Sequence, residues 1–184
     1  MQATAVEQSE LKSELVITET LRTTKVCAQV RAYSWPVPVH DGRRLLIDQW
    51  FVDLSLTGRP DQPRGRYLER WRRRGLERIG DVLVFPPRLA FSVSHGAGKQ
   101  TSLSLLLAPE LLHLNADDLD EPRLAEGLHI TDLVIRRRMW RVAAEIRRFR
   151  LESAALIESE AVALAADLER RLKATPASVL SLSA

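Results

Sequence analysis

Between Ile79 and Leu112 the chain leaves little conformational freedom. Gly80-Asp81 sets a turn, because glycine accepts backbone angles that other residues resist. Val82-Leu-Val-Phe85 is apolar on both faces and short enough for a buried strand. Pro86-Pro87 ends it, since proline has no N–H to give to a ladder. A second strand follows around Phe91 and Val93. A third is Ser102-Leu-Ser-Leu-Leu-Leu107, after which Pro109-Glu-Leu-Leu112 opens a short helix. Short strands punctuated in this way predict a small antiparallel β-barrel.

The chain has 184 residues, of which 45% are hydrophobic, enough for one domain, or one domain plus an appendage, with a buried core. The net charge of +3 conceals two arginine clusters. Arg64, Arg66, Arg70, Arg72, Arg73, Arg74 and Arg78 form one; Arg136, Arg137, Arg138, Arg141, Arg147, Arg148 and Arg150 form the other. Such runs suit either an anionic partner or a solvated face. Cys27 is the single cysteine, so no disulfide forms within the chain and a reducing cytoplasm is the expected home. The residues after Met1 are polar and acidic, and no apolar run approaches the ~20 residues of a membrane span. A soluble protein without membrane contact is expected.

The chain divides by composition. Residues 1–14 read as a flexible N-terminus and 15–112 as the barrel. Within it, Trp35 to Gly42 reads as a proline-punctuated loop, Leu45 to Leu56 as a long strand and Tyr67 to Arg73 as another. Residues 113–173 read as a helical region. Leu128, Ile135, Met139, Val142, Ile146 and Phe149 share one helical face, with Thr131 and Asp132 placed to cap its start. A second helix from Ser153 to about Lys173 carries the stripe Ile157, Ala161, Leu164, Leu168 and Leu172, with Ala163 and Ala166 on another face. Two adjoining amphipathic helices predict an antiparallel hairpin. Residues 174–184 read as a linker or tail. The predicted class is α+β, a β-barrel followed by two helices.

Chemistry-bearing patterns are sparse. Gly80 and Pro86 resemble the second motif of metal-binding cupins, Gly-x5-Pro-x-Gly-x2-His-x3-Asn. Arg88, Phe91 and His95 occupy its second glycine, histidine and asparagine positions. Nothing matches the first cupin motif, and His40, His95, His113 and His129 lack ligand spacing. No metal and no cofactor are expected. Neither a nucleophile elbow nor a phosphate loop occurs, so no enzymatic activity is expected. Candidate ligand-binding residues are Trp50, Glu69, Trp71 and Phe91: Phe91 stands where a cupin ligand would point inward, and tryptophan beside a lone carboxylate suits a pocket. Val93 joins Phe91 by alternation, and Leu103, Leu105 and Leu107 form the apolar face of the next strand. The alternative is an ordinary filled core.

The order of parts resembles the N-terminal, cupin-like domain of AraC/XylS-type transcription regulators. Gly80-Asp-Val-Leu-Val-Phe-Pro-Pro87, Ser102 to Leu112, Asp132-x7-Trp140-x4-Glu145 and Glu158 to Leu168 carry the likeness, which covers about residues 14 to 173. The resemblance implies a cupin-like barrel that binds a small-molecule effector and a helical region that forms a homodimer, here through Ile157, Ala161, Leu164 and Leu168. It implies DNA binding through a helix-turn-helix part absent from this chain. Two other readings are a standalone protein that heterodimerises with a full-length regulator, and a cupin-type enzyme.

Overall fold

Strand alternation sends successive side chains to opposite faces, and in this chain the two faces bury different chemistry. A computed structural model describes residues 14–44, 48–72, 75–148, 150 and 152–174. Residues 1–13, 45–47, 73, 74, 149, 151 and 175–184 lie outside the described residues, and with them the start of the strand expected from Leu45, the end of the one expected to Arg73, Arg73 and Arg74 of the first arginine cluster, Phe149 and the tail.

Among the described residues, nine strands form two antiparallel sheets. In the larger, β1 (Glu14–Arg22), β2 (Val26–Trp35), β9 (Gly98–Leu107), β4 (Trp50–Ser55) and β7 (Val82–Phe85) lie side by side in that order. In the smaller, the order is β3 (Val39–Arg44), β8 (Phe91–His95), β5 (Arg64–Tyr67) and β6 (Glu77–Arg78). Pairing stays within each sheet, so the arrangement is an open sandwich rather than the closed barrel expected from the turns.

The three successive strands after Gly80 are as expected, though β8 joins the smaller sheet, while three strand boundaries differ. β3 lies partly in the predicted loop, β4 starts only at Trp50, and β5 ends at Tyr67 with Leu68, Glu69 and Arg70 in a turn. Gly65 explains β5. A Cβ there would stand 2.1 Å from Phe91 Cζ and 2.8 Å from the Ser92 carbonyl. The absent side chain lets β5 lie against β8, pairing Gly65 with Val93 and Tyr67 with Phe91.

Among the described residues the two expected helices, α2 (Leu133–Arg148) and α3 (Ser153–Lys173), are preceded by a further one, α1 (Glu121–Leu128). Asp120-Glu-Pro122 reads as a helix breaker but acts as a start signal. The Asp120 carboxylate accepts the Arg123 N–H, and Pro122 sits in the first turn, where an N–H has no partner. Leu128 therefore closes α1 and does not belong to α2. Asp132 caps α2 by accepting the N–H groups of Val134 at 2.7 Å and Ile135 at 3.2 Å.

All three helices contact the larger sheet or its neighbours. Ile135, Met139, Val142, Ala143 and Ile146 of α2 are buried, as are Ile157, Ala161, Leu164, Leu168 and Leu172 of α3. The sheet meets them with Val26, Ala28, Val30, Trp50, Val52, Leu54, Leu103, Leu105 and Leu107, all buried. Each such aliphatic side chain contributes roughly 1.5–3 kcal/mol when fully buried. The α2–α3 turn is tied by Ser153, whose hydroxyl accepts from the Arg150 N–H and donates to Glu145 at 2.6 Å. Arg138 bridges to Asp167 at 2.7 Å and Glu160 at 3.1 Å on α3.

Candidate ligand-binding cavity

Once the helices cover one face of the larger sheet, the other face looks into the sandwich, and it is the more polar one. β2 sends Tyr33 and Trp35 inward, β4 Phe51 and Asp53, β7 Leu83 and Phe85, and β9 Gln100. The smaller sheet answers with Phe91, Val93 and His95. Arg59, Pro60 and Pro63 from the β4–β5 connection, with Ile79, complete the wall. The cavity, which opens to the surface on one side, holds about 60 Å³. That is room for a few waters; an apolar cavity that takes benzene is about 150 Å³.

The rings interlock. Tyr33 and Trp35 stack with centroids 5.2 Å apart and planes 5° from parallel. His95 meets Trp35 edge-on at 4.6 Å, and its Nδ1 lies 2.7 Å from the Gly96 carbonyl. Phe85 contacts Phe51 at 5.8 Å and Phe91 at 4.6 Å. Tyr67 closes on Phe91 at 5.2 Å from behind, and burial holds its phenol well above the ordinary tyrosine range. Its hydroxyl donates to the Val84 carbonyl at 3.3 Å.

Apart from His95, the polar side chains of the wall come from the larger sheet and the β4–β5 connection. Asp53 accepts from Ser104 Oγ at 2.8 Å and pairs with Arg59 Nη2 at 3.0 Å. The same guanidinium donates to the carbonyls of Gly80 and Asp81, so it ties the β4–β5 connection to the turn before β7. Gln100 donates to Ser102 Oγ at 2.5 Å. Among the described residues, the buried Trp35 indole N–H has no acceptor. A donor left in that state costs about 1–3 kcal/mol.

The expected site residues are only partly brought together. Phe91 and Val93 line the cavity. Trp50 does not: it is 1% exposed, on the face opposite Phe51 and Asp53, in the layer beneath the helices. Leu103, Leu105 and Leu107 share that layer, opposite in alternation to Gln100. Trp71 follows the end of β5 and donates to the Gly75 carbonyl at 3.1 Å, with Tyr67 between it and Phe91. Glu69 is exposed in the turn. The dimerisation stripe Ile157, Ala161, Leu164 and Leu168 is 0% exposed and spent on the chain's own core, because that face of α3 meets α2 and the sheet.

Tyr33, Trp35, Asp53, Arg59 and Gln100 are the site residues that sequence reading passed over. Their signal is the alternation itself: Gln29, Arg31, Tyr33 and Trp35 on β2, and Gln100, Ser102 and Ser104 on β9, fall on one face. Among the described residues, no three His, Cys, Asp or Glu side chains are grouped to hold a metal ion. No helix among the described residues is long and apolar enough to cross a membrane.

No protein-family model matches the chain, and no curated protein matches it. Solved structures of cupins do align with part of it. A cupin superfamily protein of Desulfitobacterium hafniense is 14% identical, covers 51% of this chain and 77% of its own, and has a TM-score of 0.35. An RmlC-like cupin of Methanocaldococcus jannaschii with a double-stranded β-helix fold is 6% identical, with 58% and 92% covered and a TM-score of 0.35. A cupin domain of Bordetella pertussis is 10% identical, with 51% and 93% covered and a TM-score of 0.34.

Proposed function

We propose that this chain is the ligand-sensing and dimerising domain of an AraC-type transcription regulator, with no enzymatic activity of its own. The observation that carries the sensing part is the cavity between the sheets, with the unpaired indole N–H of Trp35 in its wall. An aromatic-walled space with one orphan donor suits a small, flat, mainly apolar molecule that carries a hydrogen-bond acceptor. The cavity is smaller than such a molecule, so binding requires the β4–β5 connection to move outward and the Arg59 contacts to rearrange. Binding thereby becomes a conformational signal at the turn before β7.

The homodimer belongs to the outer face of α3 in this reading. Leu156 is 37% and Val162 42% exposed, and Ala155, Ser159 and Ala166 share their face. Glu158 borders these residues and the exposed Arg170 and Lys173 continue the face beyond Ala166, while its small side chains let a second helix approach. A stable interface needs on the order of 800 Å² from each partner, which paired helices can supply.

Thermal-shift measurements with benzoate, phenol and indole, each followed by chemical-shift mapping, test the sensing part. The expected result is stabilisation by at least one probe, with shifts centred on Trp35 and Phe91. Perturbations centred on the outer surface, or none, would remove the sensor reading. Sedimentation equilibrium of wild type and Val162→Glu tests the assembly: a dimer is expected that the substitution dissociates, and a wild-type monomer at tens of micromolar would overturn it.

A further inference from the structure

The second arginine cluster takes no part in the cavity. α2 carries Arg136, Arg137, Arg138, Arg141, Arg147 and Arg148 against a single acid, Glu145. Arg138 turns toward α3, and Glu145 is occupied by Ser153. Leu133, Arg136, Arg137, Trp140, Ala144 and Arg147 recur every three or four residues, so they share the outward face. All six are exposed, Trp140 at 39%. An exposed tryptophan among arginines is not what a merely solvated helix face requires.

Besides Arg138, three of the arginines have acidic neighbours within the chain. Arg136 lies 3.6 Å from Asp81, Arg141 2.7 Å from Glu160 and Arg148 3.9 Å from Glu145. Among the described residues, Arg137 and Arg147 have no acidic partner. The basic face also continues past the start of the helix. Arg136 lines a cleft of about 350 Å³ together with Arg59, Arg78 and His129, and with Asp61 and Asp81 as its acids.

We propose that the outer face of α2, together with this cleft, binds single-stranded nucleic acid. The arginines would hold successive phosphates, for which the planar guanidinium is the fitting donor, and Trp140 would stack on an unpaired base. A membrane surface fits less well. A helix lying in a lipid interface presents a continuous apolar face, and the continuous apolar face of α2 is turned into the core. A purely acidic peptide would leave Trp140 without a flat partner.

The test uses the full chain and a fluorescein-labelled oligothymidylate of about 15 nucleotides, followed by anisotropy at about 50 mM salt. Saturable binding is expected, tighter than to a duplex of the same length. Arg137→Glu with Arg147→Glu should weaken it by at least about tenfold and flatten the salt dependence by roughly 0.7 log units per arginine removed. Trp140→Ala should weaken it at least about fivefold with the salt slope unchanged, and Trp140→Phe should recover part of the loss. These side chains are exposed and lie outside the cavity wall, so melting curves and cavity-ligand binding should stay at wild-type values. Absence of saturable binding would overturn the proposal. So would equal affinity for duplex, for polyglutamate or for phosphatidylserine vesicles, or indifference to Trp140→Ala.

Discussion

Arg59 Nη2 lies 3.0 Å from Asp53 Oδ2, with the two side chains only 11% and 6% exposed. The pair joins the β4–β5 connection, which contains Pro60 and Pro63, to an inner strand of the larger sheet. Removing one partner leaves a buried charge, which costs more than the pair itself contributes. Arg59→Ala also deprives the Gly80 and Asp81 carbonyls of a donor. Each single replacement, Arg59→Ala or Asp53→Ala, should destabilise by about 3 kcal/mol in urea denaturation, while the double replacement costs far less than the sum. Additive losses would mean that the two groups act independently.

Trp35→Phe separates binding from stability. The replacement keeps a ring beside Tyr33 and His95 but deletes the indole N–H, which has no acceptor. Relief of an unsatisfied donor, about 1–3 kcal/mol, works against the loss of buried ring area. The unliganded stability should change by less than about 1 kcal/mol, while affinity for an acceptor-bearing ligand falls at least tenfold, about 1.4 kcal/mol. If denaturation and binding fall together, the indole N–H is not the recognition group.

Arg88 sits with φ at +64°, a left-handed conformation, at the position where the cupin motif has glycine. An L-residue other than glycine, asparagine or aspartate is held there at a cost of roughly 1–2 kcal/mol. Its ion pair with Asp48 at 2.7 Å offsets little, since both side chains are more than three-quarters exposed. Arg88→Gly should therefore stabilise the protein by about 0.5–1 kcal/mol, read as a higher melting temperature. A lower melting temperature would show that the Arg88 side chain contributes more than the backbone strain removes.

Gly65→Ala should act in the opposite sense to its intrinsic preference. In an ordinary strand, alanine is better than glycine by roughly 0.5–1 kcal/mol. Here the new methyl meets the Phe91 ring and the Ser92 carbonyl, so the ring must swing toward the cavity or the strands must part. A loss of about 1–3 kcal/mol is expected. Crystals of the variant should show Phe91 intruding on the cavity; an unmoved ring would indicate that β5 and β8 separate instead.

The parts of the fold legible in the sequence were those with local punctuation. Gly80, Pro86 and Pro87 bound β7, and the apolar period of α3 is uninterrupted from Ile157 to Leu172. α1 was hidden because Asp120 and Pro122 signal both a break and a helix start. β3 was hidden because it passes through Asp41, with φ at +52°, and a register shift between Val39 and Gly42. The cavity was misassigned for a tertiary reason. β2, β4 and β9 each have an apolar face and a mixed face, and only the helices decide which one looks inward. The apolar leucines of β9 went to the helices, leaving Gln100, Ser102 and Ser104 for the sandwich interior.

The alkaline limit of stability should be set in part by Tyr67. Its side chain is fully buried behind Phe91, and burial raises its pKa well above the ordinary 10.0. The unfolded chain releases this proton near the ordinary value and the folded chain does not. The stability from keeping Tyr67 neutral is thus fully present below that value and is lost as pH rises from it toward the raised folded value. Tyr67→Phe removes the ionisable group at the expense of one hydrogen bond, to Val84, of about 1 kcal/mol. The wild type should be the more stable at neutral pH, and the gap should close or reverse in strongly alkaline buffer. Phenolate absorbance from Tyr67 should appear only together with the loss of tertiary circular dichroism. A Tyr67 phenolate that forms reversibly in the folded protein would show that water reaches the ring cluster.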